Sequence, residues 1–453
     1  MAQGYTQRSG IDYNDVWAPC PARATVRAVL SLVAAQDLEM HIVDIKAAYL
    51  NAPMDVPVYI NQPECYKEGR DGTVALLRQA LHGCKQAGRL WGDHVHATLT
   101  KAGAVRSTAD PTLYIWAHPD HGTIRILVHV DDIAITARTL QGASAAKGVI
   151  LTTYKGRDLG AATTFLGMKL ERDRAAGTLK LSCPGVTMAL INEFGMTEAK
   201  PNKQPMAPGT TPLRSGENLL ADGKRYDELI GSLLYLSTST RPDISYAAGV
   251  LACYMASPED DHWGAAKGVL RYVAGIPADG LLYQAGERIA GAVDADHGGC
   301  RDTRRSTTGW VFTWNGAAVS WARKRQPTVP TSTAEAEYVA AAAATREALW
   351  LRKLMADLGE PPAPIRIAED NQACLALISN PEMTGRAKHI DIAHHMARER
   401  AAMGEVAFHY TPGAEMIADG LTKALAGSAF IPFRDGMGMY AGAPAGGEHS
   451  GRL

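Results

Sequence analysis

The chain has 453 residues, of which 46% are hydrophobic and 21% are charged, and these proportions predict two or three globular domains with buried cores. The formal net charge of −1 gives no support to a strongly basic nucleic-acid-binding protein, so any attraction for polyanions has to be local. Basic residues cluster in two short segments that could supply such local charge: Arg301, Arg304 and Arg305, and Arg323, Lys324 and Arg325.

Targeting and redox signals favour an intracellular protein with no membrane partner. The Ala-rich stretch 339–344 is bounded by Glu337 and Arg346 and is too short to cross a bilayer. The first residues, MAQGYTQRSG, lack the apolar core of a signal peptide. Seven cysteines without a CxxC pair indicate neither a zinc knuckle nor a disulfide framework.

The first regular elements are a helix and a strand that carries an acidic residue. Helical apolar spacing over 24–38 is followed by a predicted strand, Met40–Ile45, which contains Asp44. An aspartate among Ile and Val is costly unless it is paired or binds a metal. The alternative is a charge on a solvent-facing edge. A further strand is predicted at Val58–Asn61.

A basic segment precedes the next helix. The run LLRQALHGCKQAGRLWGDHV contains Lys85, Gln86 and Arg89. Basic and amide groups at a turn before a helix suit phosphate contacts. A solvated helix start explains the same spacing equally well.

Two adjacent carboxylates follow at a predicted β-hairpin. The apolar runs Ile124–Val130 and Ile133–Ile135 flank Asp131 and Asp132. Carboxylates held this close repel each other, and a divalent cation such as Mg²⁺, which takes hard oxygen ligands together with substrate phosphates, relieves the repulsion. The alternative is an ordinary polar turn, because aspartate is common in turns.

Turn and helix signals divide the middle of the chain. Phe165-Leu166-Gly167 opens a predicted strand, and the Pro- and Thr-rich residues 199–215 indicate a linker. Three helices are predicted beyond it. The clearest one has Ser257 as its N-cap and Pro258 as its first residue, and it ends near Gly275.

From residue 289 onward, paired strands at 310–314 and 318–322 precede a helix with a predicted capping box at residues 332–335. Glu335 and Glu337 are two positions apart, so they point to roughly opposite sides of this helix. Glu335 serves the cap, whereas Glu337 heads the small-residue stripe that is expected to pack on a sheet: Ala340, Ala341, Ala344 and Leu351. A carboxylate on that face needs a partner, and a metal would serve.

Three more aspartates lie in this part of the chain. Asp294 follows a short apolar run, and Asp370 falls at the carboxyl end of a predicted strand, Ile365–Ala368, where α/β proteins commonly build sites. A simple helix N-cap is the alternative for Asp370. Asp419 lies on the last predicted helix, and residues 428–453 have the composition of a disordered tail.

Read in order, a set of motifs resembles the polymerase end of a copia-type LTR retrotransposon polyprotein from about residue 2 to about residue 426. The motifs are GYTQRSGIDYNDVWAP, HIVDIKAAYLNA, LHGCKQAGRLW, VDDI, FLGMKLERD, GSLLYLSTSTRPDISYA, RRSTTGWVF, STAEAEYVA, EDNQACLAL, KHIDI and IADGLTKAL. The resemblance implies an α/β (α+β) fold, a right-hand polymerase with fingers, palm and thumb followed by a ribonuclease H-like mixed-sheet domain. The implied divisions are fingers and palm at 1–190, thumb or connection helices at 191–287, ribonuclease H at 288–427 and a tail at 428–453.

The same resemblance implies RNA-directed DNA polymerase and ribonuclease H activities, with two Mg²⁺ ions per active site and Mn²⁺ as an alternative. It assigns the polymerase metals to Asp44, Asp131 and Asp132, and the ribonuclease metals to Asp294, Glu337, Asp370 and Asp419. Nucleotide binding falls on Tyr49, Gln86 and Arg89, and primer binding on Phe165, Leu166 and Gly167. The implied partners are an RNA template, a DNA primer, an RNA–DNA hybrid and deoxynucleoside triphosphates, and the implied location is the cytoplasm, in a virus-like particle, or the nucleus.

Several positions depart from the family pattern: His129 before the Asp pair, Gly88 for Pro, His297 for Trp, and Ala393 and His394 for Arg and Tyr. The chain also begins within the expected fingers sheet, so hybrid cleavage is expected to exceed primer extension. Two alternatives remain open: a truncated remnant inactive as a polymerase, and a non-catalytic nucleic-acid-binding protein.

Overall fold

The computed structural model describes residues 2–64, 68–70, 72–380 and 395–440, and it divides the chain into two compact units. The first unit comprises residues 1–26 and 36–166, and the second comprises residues 27–35 and 167–453. The sequence-based boundaries at 190 and 287 both fall inside the second unit and stay predictions. The KHIDI motif at 388–392 and the departures at Ala393 and His394 lie outside the described residues.

Helix α1, Arg23–Ala35, begins in the first unit and continues into the second. The other elements of the first unit follow in chain order: β1 Glu39–Ile45, β2 Pro53–Asn61, β3 Val74–Gln79, α2 Ala87–Lys101, β4 Val105–Arg106, β5 Leu113–His118, β6 Gly122–His129, β7 Asp132–Ala137, α3 Leu140–Thr153, β8 Gly156–Ala161 and β9 Thr164–Phe165. The main sheet is antiparallel, with strand order β4-β5-β6-β7-β1-β8, and β2 pairs with β3 in a separate ribbon.

The apolar runs around the Asp pair form the centre of this sheet. Ile126 on β6 and Ile135 on β7 are fully buried and share a core with Trp91 of α2 and Ile150 of α3. Helices therefore cover one face of the sheet, which explains why the two strands are so rich in Ile and Val. The predicted hairpin is present, but its turn consists of Val130 and Asp131, because Asp132 already pairs with His129 as the first residue of β7.

The elements of the second unit follow in chain order: β10 Met168–Asp173, β11 Thr178–Ser182, α4 Pro184–Glu193, α5 Gly223–Ser239, α6 Ser245–Leu251, α7 Asp260–Gly275, β12 Gly280–Gln284, β13 Ala290–Ala295, β14 Thr307–Trp314, β15 Ala317–Arg325, α8 Thr333–Asp357, β16 Ile365–Glu369, α9 Gln372–Ser379, α10 Met396–Ala402, β17 Val406–Tyr410, α11 Asp419–Thr422, α12 Gly427–Gly436 and β18 Met439–Tyr440. One sheet has the order β15-β14-β13-β16-β17, in which β13, β16 and β17 are parallel and the other pairs are antiparallel. Antiparallel strands in the order β18-β12-β11-β10 form another.

These sheets confirm the predicted α/β (α+β) class, with a mixed sheet after an antiparallel one. Helix α8 packs on the mixed sheet through its predicted small-residue stripe, and Ala340, Ala341, Ala344 and Leu351 are fully buried. Within the described chain, no helix has both the length and the apolar character that crossing a bilayer requires.

Two local predictions were wrong. Helix α7 is capped by Glu259 rather than Ser257, since the Glu259 side chain and His262 form the capping box and Glu259 also accepts hydrogen bonds from Ser215. The cap of this helix therefore combines a local partner, His262, with one that lies 44 residues away, Ser215. Residues 428–440, predicted as the start of a tail, form most of α12 and all of β18, while 441–453 lie outside the described residues.

The RPD motif within GSLLYLSTSTRPDISYA forms a buried ion pair in the helical part of the second unit. Arg241 is 1% exposed and donates two hydrogen bonds to Asp243, at 2.9 Å from Nε and 2.8 Å from Nη2. The Tyr272 hydroxyl donates a third to the same carboxylate at 2.6 Å, and Arg241 also reaches the Ile276 carbonyl. Burial alone would raise the pKa of Asp243, but Arg241 outweighs burial and lowers it. The motif is thus a structural clamp between α5 and α7.

Replacing Asp243 by Ala should lower the free energy of unfolding of the chain by about 3–5 kcal/mol, because Arg241 would remain buried without its carboxylate. Tyr272→Phe, which removes a single hydrogen bond from the same group, should cost only about 1 kcal/mol. Denaturant unfolding measures both values. A loss of similar size for the two variants would show that the ion pair is not the stabilising element.

Candidate functional site

The first candidate site lies at the tip of the β6–β7 hairpin. Asp44 on β1 is the direct cross-strand neighbour of Asp132 on β7, and Asp131 occupies the turn beside them. Burial, followed by the charges of Asp131 and Asp44, raises the pKa of Asp132. Antiparallel pairing therefore brings the three predicted polymerase carboxylates to one end of the sheet, where they repel one another.

Backbone strain and two hydrogen bonds fix this turn. Val130 has a φ of +52°, a conformation that β-branched residues rarely adopt. The Trp91 indole donates to the Val130 carbonyl at 2.6 Å, and the Ile45 amide donates to the Asp131 carbonyl at 2.8 Å. Two-residue hairpins require positive φ in the turn, so the strain is a consequence of presenting Asp131 at the tip.

The residues predicted to bind nucleotide occupy three different environments. Tyr49 is partly buried, stacks on His82 with ring centres 5.5 Å apart, and has its pKa raised by burial and by the nearby charge of Asp131. Gln86 is fully buried, accepts a hydrogen bond from Gln7 and donates to the Asp12 carbonyl, so its amide serves the fold.

Arg89 is held by acidic groups on both sides. Its guanidinium forms salt bridges with Asp55 and with Asp93, and its Nε donates to the Asp15 carbonyl. The charge of Asp131 affects the pKa of Tyr49, whereas the guanidinium of Arg89 is already engaged in salt bridges.

The predicted primer-binding segment forms a tight turn. Leu166 and Gly167 both have positive φ, at +51° and +77°, and Phe165 is 3% exposed. A Cβ on Gly167 would lie 3.1 Å from the Tyr235 hydroxyl, so the turn has little room for a larger residue. The strand predicted from this segment begins after the turn, at Met168.

A second and denser site lies at one edge of the mixed sheet. Asp294 near the end of β13, Asp370 just after β16 and Asp419 at the start of α11 have carboxylate oxygens that all lie within 4.8 Å of one another. Strands β13 and β16 are parallel neighbours, so their carboxyl ends converge. Glu337 joins Asp370 within the same distance. The four predicted ribonuclease carboxylates are therefore brought together.

Helix geometry separates Glu337 from Glu335 as expected. Glu337 is 5% exposed and belongs to the cluster. Glu335 instead accepts hydrogen bonds from the backbone amide and hydroxyl of Thr331, while the Ser332 hydroxyl caps α8 by accepting from the Glu335 amide. The N-cap of α9 is Asn371, which accepts from the Cys374 amide. Asp370 is thus not needed as a cap.

Glu369 is the residue that the sequence-based assignment missed. It is fully buried and lies within 4.8 Å of Glu337 and Asp370. One of its oxygens accepts from the Asn371 amide at 3.0 Å. Side chains alternate between the two faces of a strand, so Ile365, Ile367 and Glu369 lie on the same, buried face of β16. The signal in the sequence was therefore an acid at a position where this alternation predicts an apolar residue.

The cluster concentrates negative charge in a buried place. Among the residues that the structure describes, the ammonium group of Lys423, 2.8 Å from Asp419, is the basic group that forms a salt bridge with one of these five carboxylates. The Thr422 hydroxyl donates to Asp294. Burial, followed by repulsion from other carboxylates, raises the pKa of Asp294 and of Glu337. Burial also raises the pKa of Asp419, although its ion pair with Lys423 acts in the opposite direction. Burial likewise raises the pKa of Glu369.

The donor set fits divalent cations. One oxygen of Glu337 and one of Glu369 are buried without a hydrogen-bond partner in the described structure. Unpartnered buried carboxylate oxygens are costly, and oxygen ligands are those that Mg²⁺ and Ca²⁺ take. No such cluster is formed by Asp44, Asp131 and Asp132 in the described part of the first unit. The two sites thus differ in the distances between their carboxylate oxygens, which, among the described residues, are within 4.8 Å in groups of three at the second site but not at the first.

Known proteins resemble the chain over most of its length. The reverse transcriptase (RNA-dependent DNA polymerase) family matches residues 1–208. The retrovirus-related Pol polyprotein from transposon TNT 1-94 of Nicotiana tabacum is 32% identical over 448 residues, which are 97% of this chain and 34% of that protein. The chain thus spans about a third of that relative's length.

A shorter relative is covered almost completely. The putative transposon Ty5-1 protein of Saccharomyces cerevisiae is 32% identical over 314 residues, which are 67% of this chain and 99% of that protein. Among solved structures, a foamy viral protease-reverse transcriptase in complex with double-stranded DNA matches 84% of this chain and 59% of its own, with a TM-score of 0.47 and 12% identity. The chain belongs to the family of copia-type retrotransposon Pol polyproteins, and its residues 1–208 match the reverse transcriptase of that family.

Proposed function

We propose that the chain is an RNA-directed DNA polymerase with ribonuclease H activity and that both reactions depend on divalent metal ions. The buried cluster of five carboxylates with unpartnered oxygens carries the proposal, because a protein that only binds nucleic acid has no use for acidic groups facing phosphates. Family membership and the hairpin carboxylates support the polymerase half.

At the nuclease site, Asp294, Glu337, Glu369, Asp370 and Asp419 would hold two Mg²⁺ ions. When bound, such ions supply Lewis-acid stabilisation of the attacking and leaving oxygens in an in-line displacement at phosphorus. The protein positions the ligands: the Thr422 hydroxyl orients Asp294, and the Lys423 ammonium restrains Asp419. Little covalent chemistry remains for side chains, so positioning and charge suffice.

At the polymerase site, Asp44, Asp131 and Asp132 would hold the ions, and the Trp91 indole fixes the turn that carries Asp131. Tyr49, which lies close enough to sense the charge of Asp131, would exclude a ribose 2′-hydroxyl by steric clash. The substrates would be deoxynucleoside triphosphates and a DNA primer on an RNA template. The nuclease would take the resulting hybrid, whose A-like shape and 2′-hydroxyls permit recognition without sequence readout.

A second candidate is a nuclease without polymerase activity. One observation favours it: carboxylates of the second unit lie within 4.8 Å of one another in groups of three, whereas those of the first unit form no such group in its described part. Primer extension on an RNA template and cleavage of an RNA–DNA hybrid, measured on one preparation with added Mg²⁺, separate the candidates. Both products support the proposal, cleavage alone supports the second candidate, and binding with neither product refutes both.

Glu337→Gln should abolish hybrid cleavage with little loss of stability, because it removes a metal ligand whose charged form burial and the neighbouring carboxylates already disfavour. The matched control is Glu335→Gln, two residues away on the same helix, which should leave cleavage nearly intact. Cleavage rates and thermal melting of both variants test this. The reverse pattern would refute the assignment of Glu337 to the site.

Glu369→Gln should weaken Mn²⁺ or Mg²⁺ binding by about tenfold or more, since a ligand oxygen and its charge are lost together. Isothermal titration of the intact chain gives the affinity without reliance on activity, and Glu335→Gln again serves as control. Unchanged metal affinity together with unchanged cleavage would mean that Glu369 is only part of the core.

Asp131→Asn should reduce primer extension by several orders of magnitude while sparing hybrid cleavage, because the two sites use separate ligands. Asp120→Asn provides the matched control, as Asp120 is an exposed aspartate in the turn of the neighbouring β5–β6 hairpin. Near-normal extension by the Asp131 variant, beside an active control, would contradict the polymerase assignment.

A further inference from the structure

A cavity of about 280 Å³ in the second unit adjoins the carboxylate cluster. Its walls come from the 208–213 segment, from α6 and from the ends of β14 and β15, and Thr422 and Lys423 line it as well. Both of these residues also contact the carboxylate cluster, through Asp294 and Asp419. A ligand in the cavity would therefore lie next to the proposed nuclease centre.

The cavity wall is rich in basic groups. Arg323 and Arg325 lie on the same face of β15 because side chains alternate along a strand, and both line the cavity. Arg301, in the loop between β13 and β14, lines the cavity as well. Lys324, between the two arginines, points to the other face and lies 5.2 Å above the Trp310 ring. Both basic segments that the sequence singles out thus contribute to the cavity wall, the first through Arg301 and the second through Arg323 and Arg325.

Neither arginine on β15 has a carboxylate partner in a salt bridge within the described structure. Arg323 lies over the ring of Tyr246, at 5.5 Å from its centre, and its Nε is buried without a hydrogen-bond partner. Arg325 donates to the Cys253 sulfur at 2.7 Å, a weak acceptor for a guanidinium. Asp296 is the carboxylate that lines the cavity with them, and it accepts a hydrogen bond from the Thr307 amide. Burial raises the pKa of Asp296, while the charge of Arg323 acts to lower it.

We propose that this cavity binds a phosphate group. Guanidinium forks match the oxygens of a phosphate, and two of them converging on a half-buried space favour a doubly contacted anion. Two sources share this chemistry: a phosphodiester of a nucleic-acid strand that passes the carboxylate cluster, and free phosphate. The nucleic-acid source rests on the proposed nuclease function, whereas phosphate binding as such does not.

Gly249 on α6 makes room for the key side chain. A Cβ at this position would lie 2.9 Å from Cδ and 3.0 Å from Nη1 of Arg323. Gly249→Ala would therefore displace the guanidinium without any change of net charge, and alanine is favoured over glycine within a helix. This variant therefore tests whether binding depends on where the Arg323 guanidinium lies, because the positive charge itself is retained.

The test uses the full chain in EDTA, so that neither metal nor cleavage contributes. One probe is an RNA–DNA hybrid, titrated at several salt concentrations, and the other is inorganic phosphate, compared with chloride at equal ionic strength by thermal shift. Arg323→Gln should weaken hybrid binding by about tenfold or more and reduce the slope of log affinity against log salt by about one. Gly249→Ala should act in the same direction.

Lys324→Gln is the matched control, since it removes the same charge from the same strand on the other face, and it should have a clearly smaller effect. Loss of phosphate-specific stabilisation in Arg323→Gln with unchanged hybrid affinity would support the cavity as a site for free phosphate. Equal effects of the Arg323 and Lys324 substitutions on both probes, or no advantage of phosphate over chloride in the unmodified chain, would overturn the proposal. Hybrid cleavage, assayed separately with Mg²⁺, tests the proposed function, so the two ideas can fail independently.

Discussion

Mutual repulsion among buried carboxylates is the constraint on which the functional part of the second unit depends. Asp294, Glu337, Glu369, Asp370 and Asp419 come from two parallel strands, one long helix and one short helix. Burial and the neighbouring carboxylates disfavour the charged form of Glu337 and raise its pKa. The surrounding structure tolerates this because other groups hold the ligands in place. Thr422, Lys423 and the Asn371 amide each bind one carboxylate, and the alanine face of α8 sets Glu337 close to the sheet.

The hairpin of the first unit meets the same difficulty in another way. Cross-strand register and a turn residue with positive φ place its three carboxylates. Two unfavourable contributions therefore meet at this turn: repulsion between the carboxylates and strain in the backbone. Trp91 and Ile45 donate hydrogen bonds to the two carbonyls of that turn and so help to hold its strained backbone. Strained backbone at a ligand-bearing turn is common at functional sites because the geometry needed there is seldom the relaxed one.

Sequence periodicity predicted much of this arrangement. The Ile- and Val-rich runs around Asp131, the alanine stripe behind Glu337 and the strand before Asp370 are local patterns, and the structure has each of them. The role of Gln86 could not be predicted, because its partner Gln7 lies far along the chain. The α7 cap was only partly accessible, since Glu259 binds the distant Ser215 as well as the nearby His262. Glu369 was overlooked for a different reason. Its neighbour Asp370 lies in the motif that the family shares, whereas Glu369 joins the cluster because it occupies the buried face of β16.

Repulsion within the carboxylate cluster also affects which substitutions such a chain would accumulate over evolutionary time. Replacing any one of the five acids by a neutral residue of similar shape relieves repulsion, so selection for stability alone would favour their loss. The Arg241–Asp243 clamp behaves in the opposite manner, since losing either partner leaves a buried charge behind and endangers the fold. A copy released from selection for chemistry would therefore be expected to shed the cluster early and the clamp late. The presence or absence of these two features therefore indicates how far such a copy has decayed. A chain that keeps both has accumulated substitutions that are compatible with its chemistry as well as with its fold.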